Sequence, residues 1–74
     1  MLNNYAIEVF KVGGEALLAL ANKEFKKGFF IVARTPEYIV LGDNEKNVKF
    51  DLGSKIRISE KYIFDKRQNL ERKR

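Results

Sequence analysis

Residues 15–27 read Glu-Ala-Leu-Leu-Ala-Leu-Ala-Asn-Lys-Glu-Phe-Lys-Lys, and this stretch decides between an all-β chain and a mixed one. It is built from Ala, Leu, Glu and Lys, which favour the helix, and it has no β-branched residue. Leu17, Leu20, Ala21 and Phe25 recur at helical spacing with Leu18 beside them, giving one apolar stripe. Glu15 stands at the positive end of the helix dipole, and Lys26 and Lys27 at the negative end. Gly28 supplies a left-handed stop. A helix of this length is marginal alone in water, so it is expected to pack on a sheet.

Upstream, Tyr5, Ile7 and Val9 alternate with Ala6, Glu8 and Phe10. This period of two, rich in β-branched and aromatic side chains, predicts a strand over Asn4–Val12, with Phe10 and Val12 on the face opposite Ile7. Gly13-Gly14 breaks it, either as a tight hairpin turn or with Gly14 as a helix cap. The helix that follows favours the cap.

Downstream, Phe29–Arg34 is a continuous apolar run, the pattern of a central strand buried on both faces. Thr35-Pro36 makes a turn, since proline fixes its backbone angle and donates no ladder bond. Tyr38–Leu41 forms the next strand, and Gly42-Asp43-Asn44 is turn chemistry. Asn47–Leu52 alternates, with Val48, Phe50 and Leu52 inward and Lys49 and Asp51 outward. After Gly53-Ser54, Lys55–Ile58 sends Ile56 and Ile58 inward and Lys55 and Arg57 outward. Strands so close in sequence favour an antiparallel meander. Ser59-Glu60 resembles a helix start; the alternative is that Tyr62–Phe64 completes the sheet as a strand. The expected fold is α+β, in β-α-β-β-β-β order, with a mainly antiparallel sheet on one helix and a short C-terminal helix. Residues 1–65 make a single domain and residues 66–74 a basic tail.

Seventy-four residues allow one small domain. The apolar fraction of 45% suits a folded chain. With no cysteine, neither disulfides nor thiolate zinc sites can staple it. Stability must come from packing, extended across a subunit interface if the chain associates. The absence of cysteine and of an export signal predicts a reducing, cytoplasmic setting. The apolar runs are far shorter than the roughly 20 residues that cross a bilayer, so no membrane role is expected.

Chemistry is scarce. The chain has no histidine, hence no ordinary general base near neutral pH, no imidazole ligand and no Ser-His pair. Asp43, Glu45 and Asp51 are the remaining acid–base candidates. Asp43 and Glu45 sit in a turn, where Asp serves backbone geometry. No calcium-loop spacing is present, and Gly13-Gly14-Glu15 lacks the residues of a phosphate loop. Residues 27–34 share Lys27, Gly28, Phe29 and Val32 with the RNA-recognition strand pattern. Phe30 stands where a small residue is needed, however, and Phe29, Phe30 and Ile31 read as core. The chain is expected not to be an enzyme and to use no cofactor or metal.

The positive signal is charge. The net charge is +5, and residues 66–74 concentrate Lys66, Arg67, Arg72, Lys73 and Arg74 against the single acid Glu71. Lys49, Lys55 and Arg57 on wet strand faces extend this into a stripe that would contact phosphates with salt-dependent, largely sequence-blind affinity. Tyr62 or Tyr5 would add base stacking if exposed. The expected role is a small nucleic-acid-binding or nucleic-acid-associated regulatory protein. The alternative is a protein–protein interaction module, either a homodimer or an inhibitor encoded by a mobile element. It rests on Phe10, Val12 and Tyr62–Phe64 as contact surfaces.

Overall fold

In the computed structural model, which describes residues 4–64, the chain opens with α1 (Asn4–Glu24) and continues through β1 (Phe30–Arg34), β2 (Tyr38–Gly42), β3 (Lys46–Asp51) and β4 (Arg57–Ile63). The strands form one sheet in the order β1-β2-β3-β4, and each neighbouring pair is antiparallel. The fold is α+β with a meander, as the sequence implies. The segment Asn4–Val12 corrects that expectation, because it is helical rather than a strand.

Geometry explains the correction. The outer strands of a four-strand sheet lie about 14 Å apart, whereas one helix covers a strip about 10 Å wide. The helix over residues 15–24 therefore cannot cover the whole inner face by itself. The leading residues cover the remainder as a second helical segment, burying Ala6 and Val9 beside Leu17 and Ala21. Ala6, Val9 and Gly13 follow the three-and-four spacing of a helix face.

The two segments meet at Gly14, whose φ of 71° and ψ of −161° break the helix. That region is essentially reserved for glycine. Glu8 in the leading segment accepts a hydrogen bond from Arg34 at the end of β1, at 3.2 Å. Glu24, closing the trailing segment, pairs with Lys46 and Lys61 at the opposite end of the sheet. Asn4 and Tyr5, at the start of the leading segment, line one groove with Lys23 and Glu24, while Lys11 and Val12 lie by Arg34 at the other end. The segments therefore run in opposite directions, and α1 is a helical hairpin laid on the sheet. Gly13 permits the tight turn, since a Cβ there would stand 2.5 Å from the Leu17 Cβ. The Gly13-Gly14 break is real, but it joins helix to helix instead of strand to helix.

The core lies between hairpin and sheet, where Phe25 and Phe29 join Ile39, Leu41, Val48 and Phe50. Ile31, Leu52, Ile56 and Ile58 pack around it. The inward residues read from β3 and β4 are thus correct. Helical structure stops at Glu24, which leaves Lys26 and Lys27 in the turn that follows. Gly28 has a φ of 106°, as its reading as a stop requires.

Two further expectations change. Phe29–Arg34 was read as a central strand buried on both faces, yet β1 is an edge strand with Phe30 and Val32 exposed. The hairpin covers only one side of the sheet, so an apolar run here does not imply double burial. The helix start at Ser59-Glu60 is instead the middle of β4, which runs on to Ile63. The rest of the expected C-terminal helix lies outside the described residues.

Candidate nucleic-acid interface

Strand pairing fixes which side chains share the uncovered face. Lys49 lies opposite Glu60, and Asp51 opposite Arg57. Directly paired residues point the same way, and the inward Val48 and Phe50 alternate with Lys49 and Asp51. Lys49 and Arg57 therefore project from the same open face, as the stripe requires. Each is already engaged. Lys49 Nζ stands 3.6 Å from Glu60 and 4.4 Å from the centre of the Tyr38 ring. Arg57 Nε stands 3.5 Å from Asp51. Exposed pairs of this kind are typically worth less than about 1 kcal/mol, so either cation can exchange its acid for another anion at small cost. Lys55 lies in the turn before β4, exposed, and has no ion-pair partner among the described residues. Lys66, Arg67, Arg72, Lys73 and Arg74 lie outside the described residues.

The same face carries an aromatic row that sequence reading missed. Phe30 pairs with Gly42, Gly42 with Asn47, and Asn47 with Tyr62, so these four residues cross the sheet in one line. Phe30 is 41% exposed and Tyr62 51% exposed, one at each edge strand. Between them the space over Gly42 is filled by its neighbours, since a Cβ there would overlap the Asn47 amide and crowd Val32. Val32, 46% exposed, flanks the row. Both tyrosines named as stacking candidates are exposed, Tyr62 on this face and Tyr5 on the leading helical segment. The interaction of Tyr62 with the neighbouring Glu60 carboxylate pushes the phenol pKa up. Phe30 was hidden from sequence reading by the unbroken apolar run around it.

At the Phe30 end a groove of about 1100 Å³ opens between the hairpin and the β2–β3 turn. Its walls include Tyr5, Lys23, Lys26, Lys27, Phe29 and Phe30. Glu24, Asp43 and Glu45 also line it. Glu24 is neutralised: Lys61 donates to Oε2 at 3.2 Å and Lys46 to Oε1 at 3.2 Å. These contacts, Lys61 first, hold its carboxyl below the ordinary carboxylate value against the opposing effect of burial. Asp43 Oδ1 accepts the backbone amides of Glu45 and Lys46 at 2.8 and 2.9 Å, which is the structural role expected of it. Lys23, Lys26 and Lys27 have no acid partner among the described residues.

No group of three or more metal-ligating side chains occurs among the described residues, and no described helix is long and apolar enough to cross a membrane. The fold and this face define a small α+β domain with an open, aromatic-edged sheet. No family model matches the chain, and no curated protein or solved structure matches it either.

Proposed function

We propose that the protein is a small non-enzymatic nucleic-acid-binding module of regulatory type, using the open sheet face and the basic segment 66–74. The observation that carries this reading is the common projection of Lys49 and Arg57 from an uncovered sheet that also displays Tyr62. β4 ends at Ile63, and the chain passes within a few residues to Lys66 and Arg67. Cations on the face and in the segment bind phosphates, and their affinity comes from counterion release. The ion pairs of Lys49 and Arg57 open in the complex.

Titration of a fluorescent oligonucleotide at several salt concentrations tests the reading. Binding is expected to weaken steeply as salt rises. Deletion of residues 66–74 is expected to abolish binding while circular dichroism and the thermal transition stay as in the full chain. Retained affinity after the deletion removes the segment from the mechanism, and salt-independent binding removes the electrostatic reading.

A second reading, association with another copy of the chain, is favoured by the leading helical segment. Ile7 and Phe10 are three residues apart on one helix and 43% and 50% exposed. Val12, grouped with Phe10 by the strand reading, packs instead against the core. Sedimentation over a range of concentrations should show a dimer that Phe10→Ser disperses; a strict monomer rules this reading out.

A further inference from the structure

The aromatic row and the groove lysines lie at the same end of the sheet, and together they say more than that the protein is basic. From the groove, where Lys23, Lys26 and Lys27 stand without acid partners among the described residues, Phe30 leads over the edge of β1 onto the open face. Gly42 and Asn47 continue the line, and Tyr62 closes it on β4. The chain then leaves β4 for the cations that follow Phe64. Three lysines thus stand by one end of a row of two exposed rings, with the Asn47 amide between the rings.

The spacing is informative. Three inter-strand steps separate Phe30 from Tyr62, or about 14 Å. A strand stacked as in a duplex advances about 3.4 Å per nucleotide and one pulled out straight roughly twice that, so two extended steps span the gap. The rings at the two ends offer π-faces, which any base can stack on. Asn47 between them holds both a donor and an acceptor for a base edge. Val32 and the half-buried Val40 extend the apolar floor beside the row. A duplex keeps its bases stacked on one another and presents only grooves and phosphates, so it has no use for two upward-facing rings.

Resting on the nucleic-acid reading, we propose that the ligand is a single strand laid across the sheet, perpendicular to the β-strands. One base stacks on Phe30, another on Tyr62, and the base between them lies against the Asn47 amide. Lys23, Lys26 and Lys27 hold the phosphates at the Phe30 end. Glu45, on the groove wall without an ion-pair partner among the described residues, opposes the strand, and Glu60 competes for Lys49.

Fluorescence anisotropy with the full chain tests this, using labelled 12-mers of oligo-dT and oligo-rU and a mixed-sequence duplex of equal length at fixed salt. Single strands are expected to bind more tightly than the duplex. Phe30→Ala and Tyr62→Ala are each expected to lower single-strand affinity about tenfold, the low end of what one lost base stack removes, and to leave duplex binding unchanged. Tyr62→Phe is expected to retain affinity, since the ring and not the hydroxyl is used. Lys26→Glu with Lys27→Glu is expected to weaken single-strand binding, and Glu45→Gln to strengthen it. Both rings are exposed, so circular dichroism should show these variants folded. If the wild type binds, but Phe30→Ala and Tyr62→Ala bind as well as it does, or duplex is preferred, the path across the sheet is overturned while the general reading stands. If no nucleic acid binds at low salt, both fall together.

Discussion

At the scale of single residues, two positions set terms for the whole molecule. Gly14 occupies a backbone region that other residues enter only with strain, and nothing stands within 4 Å of where its Cβ would be. Its replacement is therefore a clean measure of backbone cost. Gly14→Ala is expected to lower stability by about 1–3 kcal/mol, read as a lower urea midpoint. Gly53→Ala is expected to leave the midpoint near its original place, since Gly53 also meets nothing within 4 Å and has an ordinary φ. Glu24 is the other position. It ties the end of the hairpin to β3 and β4 through two lysines, with its side chain only 15% exposed. Glu24→Gln is expected to cost about 1–2 kcal/mol, as loss of partly buried charge-assisted hydrogen bonds. Its pKa is lowered in the folded state from the ordinary 4.5. The contribution is therefore fully present above that value and fades as the pH falls through the lower, folded pKa. Urea unfolding from pH 6 to pH 2 should show an acid decline that is shallower in Glu24→Gln than in the wild type.

At the scale of elements, the leading half of α1 separates what the chain spells out from what it leaves open. Lys11 is exposed, inside that half and past its first turn. Lys11→Pro is expected to cost about 3 kcal/mol relative to Lys11→Ala, by removing a helical hydrogen bond and clashing with the preceding turn. In an edge strand the same change would be nearly silent, so thermal unfolding of the two variants distinguishes the assignments. The trailing half was legible because Glu15–Glu24 contains no β-branched residue to argue otherwise. The leading half carries two periods at once: Tyr5, Ile7 and Val9 alternate, while Ala6, Val9 and Gly13 follow the helix face. Ile7, Val9 and Val12 weigh locally toward a strand. What tips the balance is the width of sheet left uncovered, a tertiary quantity absent from any local window. β2 was legible as the apolar run Tyr38–Leu41 between two turns, and β3 because one face is wet and the other dry, which writes a clean alternation into Val48, Lys49, Phe50 and Asp51. β1 was legible as a strand but not as an edge, since Phe29–Ala33 is apolar throughout. Of the candidate site, the shared face of Lys49 and Arg57 was readable from alternation. Their pairing with Glu60 and Asp51, and the line from Phe30 to Tyr62, depend on register across four strands and were not.

At the scale of the whole molecule, the ten buried core residues among those described all come from positions 6 to 50. None comes from β4, whose inner residue Ile58 is only partly covered. This outer strand is thus set against a body that is already closed. Hydrogen–deuterium exchange should accordingly find amides of β2 and β3 most protected and those of β4 among the fastest of the sheet. Equal protection across the sheet would show that β4 is held more firmly than its packing implies.

The reversal at Gly14 also bears on how copies of the chain keep apart. Were that turn to straighten, residues 4–24 would become a rod of about 31 Å, and its first half would point away from the sheet it now shields. A neighbouring molecule in the same condition would offer a bare sheet of matching shape, and the two would trade arms. Gly14→Ala, which removes the residue best suited to the bend, is therefore expected to yield an interlocked pair when refolded at high concentration. Size-exclusion chromatography would reveal it as a species of twice the mass that reverts to single chains only after unfolding and dilution.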